Sequence, residues 1–155
     1  MAALDLYLTS RATPTGSARR LGALLGLPDA AGRSEVALAN TVAQGLPIAA
    51  VDRLAEVLGR AAVIGPVIPE TSYRRALKAG VPLSREVSDR VYGLSRVVDA
   101  AARVYHADRE RMGRFLAEPH PLLDGASPLA LATASAAGAD AVVALIESAE
   151  AGFPV

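Results

Sequence analysis

The sequence predicts an all-α protein, and three observations carry that prediction. Apolar residues make up 52% of the 155-residue chain while aromatic residues make up only 4%, so the core has to be built from Ala, Val and Leu, side chains that let helices pack closely. Apolar positions recur at three- and four-residue steps between Gly- and Pro-containing breaks, and no stretch keeps the period of two that a half-buried strand needs. Ser or Asp at the start and Gly at the close then mark one helix after another.

Taken in order, the run from Thr9 to Ser17 is rich in turn formers and has little to bury, which predicts a mobile arm. Leu21, Leu24 and Leu25 form a short amphipathic turn ended by Gly26 and Pro28. Ser34 is a suitable N-cap for a helix with Val36, Ala39 and Ala43 along one side, closing at Gly45. After Pro47 in a first-turn position, Ile48, Val51, Leu54, Ala55 and Leu58 share the face of a second helix that ends at Gly59. Gly65, Pro66 and Pro69 limit any helix between Ala61 and Pro69 to a short one, because proline lacks a backbone donor and clashes with the preceding turn.

Another helix follows from Glu70 to Gly80, and Gly80-Val81-Pro82 supplies a stop and a restart, the best internal boundary. Ser84 caps the longest helix, in which Val87, Val91, Leu94, Val98, Ala101 and Tyr105 form a continuous stripe. Asp108 caps the next, which presents Met112, Phe115 and Leu116 and stops at Glu118-Pro119. Ser127-Pro128 opens a short alanine-rich helix, and Val142, Val143, Leu145 and Ile146 define a last one, from Ala139 to a stop at Gly152. The chain therefore divides into an arm and short helix (1–33), a first helical unit (34–80) and a second (81–155).

Composition excludes several function classes. Without cysteine there is no disulfide or thiolate site, and His106 and His120 alone do not make a zinc centre. No metal or cofactor is expected. The start Met-Ala-Ala-Leu-Asp has no basic residue and Asp5 interrupts its apolar stretch, unlike a secretory signal. No uncharged apolar run approaches the roughly 20 residues of a membrane helix. A soluble cytoplasmic protein is the expectation. Phosphate-binding loops and nucleophile elbows are missing, both histidines fit structural roles, and catalysis is not expected.

Net charge is zero, but its distribution is uneven. From Glu70 to Arg114 ten Lys or Arg face six acids. After Arg114 the chain carries Glu118, Asp124, Asp140, Glu147 and Glu150 and no Lys or Arg. Two constellations follow. Thr71, Arg74, Arg75 and Lys78 project from one broad face of the Glu70–Gly80 helix, with Tyr73 among them, a pattern that suits either DNA contact or a plain solvated surface. The end of the chain joins Glu147 and Glu150 to Gly152, Phe153, Pro154 and Val155. Acids at a helix C-terminus oppose the backbone dipole, so this end is either an unselected tail or a surface for a cationic partner.

The stretch Leu83-Ser-Arg-Glu-Val-Ser-Asp-Arg90, then Phe115-Leu-x-x-Pro-His-x-x-Leu123-x-Gly-x-x-Pro128-Leu, then Gly138-Ala-Asp-Ala-Val142 and the closing Gly-Phe-Pro-Val resemble the Xre/MbcA/ParS-type antitoxins. Upstream, Gly45-Leu-Pro, Leu54-Ala-x-x-Leu58-Gly and Thr71-x-x-Arg74-Arg75 resemble the family's degenerate Xre-like helix-turn-helix. Phe115-Leu116 replaces the family's common Trp-Leu, and His120 its Asn. The resemblance implies that residues 34–80 form an Xre-like helix-turn-helix domain and residues 81–155 a toxin-binding domain. It further implies a homodimer that holds a RES-domain toxin, an enzyme that degrades NAD, with Glu147, Glu150, Gly152, Phe153, Pro154 and Val155 obstructing the toxin's active site. Operator DNA would be met by Thr71, Tyr73, Arg74, Arg75 and Lys78. Two other readings stay open: a transcriptional regulator acting mainly through DNA, and a helical scaffold with neither partner.

Overall fold

The computed structural model describes residues 16–152. The predicted arm up to residue 15, and Phe153, Pro154 and Val155, lie outside the described residues. Within them the chain is all α-helical, with no strand longer than the single bridge between Ile64 and Ile68. The helices are α1 (Ser17–Leu24), α2 (Glu35–Gln44), α3 (Ala49–Leu58), α4 (Arg60–Val63), α5 (Glu70–Ala79), α6 (Arg85–Val104), α7 (Arg109–Ala117), α8 (Pro128–Ala134) and α9 (Ala136–Glu150), with 3-10 turns at Ala30–Gly32 and Pro121–Leu123. None is long and apolar enough to cross a membrane.

The helix starts are set by local chemistry. Ser34, Ser84, Asp108, Ser127 and Ser135 each accept a hydrogen bond from the backbone N–H three residues on, satisfying a donor that the first turn leaves without a partner. Gly80 closes α5 in the left-handed region at φ 64°. The last helix begins three residues earlier than its apolar pattern indicates, because Ser135 caps it at Ala136.

α6 is the axis of the fold. It packs against α1, α2, α3, α7, α8 and α9, most extensively against α9. Val91, Leu94, Val98 and Ala101 of its stripe are buried, with Val87 and Tyr105 half-buried at the two ends. Because neighbours surround the helix, its polar side enters the core as well: Ser88, Ser95 and Asp99 are buried.

One face was misassigned from the sequence. In α2 the buried residues are Leu38 and Val42, whereas Val36, Ala39 and Ala43 are exposed, Val36 by 70%. Both sets satisfy helical spacing, and burial falls to the face turned toward α1 and α6.

The apolar core is one continuous cluster running from Ala18 to Ile146. It passes across the Gly80-Val81-Pro82 restart, where backbone and side chain tie the segments before and after it together. The Leu83 N–H donates to the Leu46 carbonyl at 2.8 Å, and the Leu46 N–H donates to the buried Ser88 Oγ at 2.9 Å. Gly45 makes this approach feasible: it sits at φ 112°, and a Cβ there would lie 2.5 Å from the Leu83 carbonyl oxygen.

Candidate functional site

α9 runs parallel to α6, and the contacts between them advance together. A Cβ at Gly93 would meet that of Ala139 at 3.1 Å, Arg96 bonds Asp140 at 2.6 Å, and Arg103 bonds Glu150 at 3.0 Å. The last turns of both helices therefore lie side by side. Arg103 Nε also stands 3.6 Å from Asp99 Oδ2, and Arg20 of α1 donates from its Nε to Asp99 Oδ1 at 2.9 Å. The Asp99 side chain is only 6% exposed, so its charge is held by hydrogen bonds and opposite charge rather than by water. Around these groups a cleft of about 340 Å³ opens between α1, α6 and α9, lined among others by Tyr92, Arg96, Asp99, Arg103 and Glu147.

Of the candidate residues at this end, Glu147 and Glu150 are exposed on the last turns of α9, and Gly152 follows at φ 87°. Glu150 is already engaged by Arg103, a contact that links two residues 47 positions apart and that no local pattern announces. Among the described residues Glu147 forms no ion pair.

The basic helix α5 divides its candidates between two sides. Thr71, Arg74, Arg75 and Lys78 are exposed, and Arg74, Arg75 and Lys78 line one shallow depression. Tyr73 points the other way. It is 8% exposed, its hydroxyl donates to Asp52 of α3 at 2.6 Å, and the Arg60 guanidinium sits 5.2 Å from its ring centroid. The hydrogen bond to Asp52, then burial, hold its phenol above the usual value, against a smaller opposite effect of Arg60. Tyr73 thus ties α5 to the fold and is withdrawn from the exposed basic face.

At the far end of α6 the chain turns through His106 (φ 51°) and Ala107 (φ 59°), two consecutive left-handed residues that are not glycine. This turn brings Tyr105 against Phe115 of α7, ring centroids 5.5 Å apart, and Phe115 meets the His120 ring edge-on at 6.3 Å. His120 is structural in the sense that its Nδ1 accepts from the Leu122 N–H at 3.2 Å and caps the 3-10 turn. Burial pushes the Tyr105 phenol up from its usual value. Among the described residues no group of three or more His, Cys, Asp or Glu could hold a metal ion.

Residues 100–152, from the last turn of α6 to the end of α9, match the family described as the antitoxin Xre/MbcA/ParS C-terminal toxin-binding domain. The chain carries the toxin-binding domain of an Xre/MbcA/ParS-type antitoxin. No curated protein matches it closely enough to narrow this further. The antitoxin's matched segment includes α7, α8, α9 and the Tyr105–Phe115–His120 cluster, and it stops where the described residues stop. Sequence reasoning named the α9 end of this domain but passed over Arg103 and the aromatic cluster. Phe115 and His120 are motif positions; the approach of Tyr105 to Phe115 depends on the left-handed turn at His106-Ala107, which no sequence pattern encodes.

Proposed function

We propose that this antitoxin neutralises a cognate RES-domain toxin that degrades NAD, and that it does so by obstruction rather than by chemistry of its own. The toxin-binding domain docks on the enzyme, and the segment from Glu147 through Gly152 to Phe153, Pro154 and Val155 is brought to the mouth of the NAD site. The observation that carries this is the pinning of α9: Arg103 holds Glu150 on the last turn, so the acidic end of the helix is held in a fixed direction. An NAD pocket has to attract a pyrophosphate, commonly with arginine, and an acidic helix end is a competitor for such a group. Glu147, which forms no ion pair among the described residues, is the carboxylate available for that competition, while Glu150 sets direction.

The test is deletion of Gly152 through Val155. The shortened antitoxin, mixed with the RES-domain toxin encoded beside it, is expected to bind but to leave NAD consumption substantially restored. Full protection of NAD by the shortened chain would overturn the obstruction mechanism.

A second role is favoured by one observation, the exposed cluster of Arg74, Arg75, Lys78 and Thr71 on α5. We propose that residues 34–80 act as an Xre-like helix-turn-helix that holds operator DNA through this face, in a homodimer matching two half-sites. Binding would be steeply salt-dependent, and joint replacement of Arg74 and Arg75 by alanine would weaken it across sequences. A gel shift at low salt with no retarded operator fragment would remove this role.

A further inference from the structure

The five acids that follow Arg114 are not equivalent. Asp140 and Glu150 are occupied within the domain by Arg96 and Arg103. Glu118 and Asp124 form no ion pair among the described residues, and along the chain they bracket His120: Glu118 ends α7 one turn beyond Phe115, and Asp124 ends the 3-10 turn that carries Leu122. Leu122 itself is 61% exposed, one of four large apolar side chains presented to solvent among the described residues. His120, two residues before it, is half-buried, as are Phe115, which meets the His120 ring, and Tyr105, which meets Phe115.

The exposed Leu122 stands two residues from His120, whose ring meets Phe115, so apolar and aromatic surface is gathered at this end of the domain, the kind of surface that a partner covers. Aromatic residues dominate the centres of protein interfaces, and a charged rim around an apolar centre governs the rate and specificity of encounter. The cluster lies wholly inside the matched toxin-binding segment, and its unengaged rim charges are both negative.

We propose that Leu122, Phe115 and Tyr105 form the centre of the toxin-docking surface, with Glu118 and Asp124 as its acidic rim. The partner surface is an apolar projection ringed by Lys or Arg. This rests on the toxin-binding reading and adds to it a site away from the tail: docking energy comes from the α7–α8 side, while the α9 end obstructs.

The experiment measures affinity between the full antitoxin and the purified RES-domain toxin of the same operon, first with the unsubstituted chain. Failure of that complex to form would overturn the toxin reading itself. L122E places a carboxylate in the apolar centre at an exposed position and is expected to weaken binding at least tenfold with an unchanged melting temperature. L122A, which adds no charge, is expected to weaken it severalfold. E118K should slow association at low salt and lose that effect at high salt. The control is L77E, on the exposed face of α5, which should bind as the unsubstituted chain does. Unchanged affinity of L122E and E118K would overturn the proposal. So would an L122E chain that binds toxin normally but no longer self-associates in sedimentation, since the cluster would then be a contact between copies.

Discussion

Arg103 of α6 reaches Glu150 on the last turn of α9 with Nη1 3.0 Å from Oε2, while its Nε faces Asp99 at 3.6 Å. The contact resolves an oddity of the sequence, an acidic helix end with no basic residue nearby along the chain. The cation that a helix C-terminus favours is supplied from the parallel neighbour instead. Arg103 is therefore expected to order the end of the toxin-binding domain while adding little to global stability. Its partner Glu150 is partly exposed, and such pairs contribute about 0–1 kcal/mol. Arg20 differs, because its side chain is 15% exposed and its bond to the buried Asp99 is the shorter one, at 2.9 Å. Denaturant titration should rank R20M as clearly more damaging than R103M, with R20M losing about 3 kcal/mol. Amide exchange should show the end of α9 opening faster in R103M. Equal losses, or no change in exchange at Glu147–Ala151, would contradict this assignment.

Gly138 occupies the crossing of α8 and α9. A Cβ at this position would stand 2.0 Å from the Leu131 carbonyl oxygen and 2.9 Å from its carbonyl carbon, both backbone atoms that cannot step aside as a flexible side chain would. G138A should cost at least the about 1–3 kcal/mol typical of overpacking, despite alanine's better helix propensity. Thermal unfolding checks it. A variant as stable as the parent would mean that α8 and α9 can separate without loss.

Much of this fold is legible in the sequence because its signals are local. The caps at Ser34, Ser84, Asp108 and Ser127, and the stops at Gly45, Gly59 and Gly80, depend on a few adjacent residues and sit where expected. What is not legible needs knowledge of neighbours. In α2, Val36-Ala39-Ala43 and Leu38-Val42 are equally good helical faces, and only the position of α1 and α6 decides between them. Tyr73 has the same spacing as the exposed basic residues around it, yet Asp52 draws it inward. The acids after Arg114 read alike in the sequence, because charge counts cannot show that Arg96 and Arg103 occupy Asp140 and Glu150. The α9 end and the aromatic cluster are products of packing, and packing is where a single sequence is least informative.

Ser88 joins the two halves of the chain. Its buried hydroxyl accepts from the Leu46 N–H in the loop between α2 and α3, across 42 residues. S88A removes the acceptor and leaves a buried donor without its described partner, which should cost about 1–3 kcal/mol. Since the same loop holds Leu83 through the Leu46 carbonyl, the unfolding transition should also broaden as the units before and after Gly80 lose their coupling. Calorimetry distinguishes the outcomes: a single sharp transition at unchanged temperature would show that the apolar core alone unites them.

Tyr73 gives the fold a defined alkaline limit. The bond to Asp52 and burial raise its phenol above the value of about 10 expected in the unfolded chain. A group whose folded value is raised contributes stability that is fully present below the unfolded value and disappears as pH climbs through the folded one. The antitoxin should therefore lose stability above about pH 10, where the neutral hydroxyl can no longer donate to Asp52 and a phenolate would face a carboxylate. Tyr105, raised by burial alone, titrates in the same direction. Y73F removes the hydroxyl: it should lower stability by about 1 kcal/mol near neutrality, the worth of one hydrogen bond. It should also flatten the decline at high pH, because the protonation difference between folded and unfolded states falls. Urea midpoints measured at several pH values from 7 to about 11 check both effects. If Y73F declines as steeply as the parent, the alkaline limit lies elsewhere and the Tyr73–Asp52 bond is not what sets it.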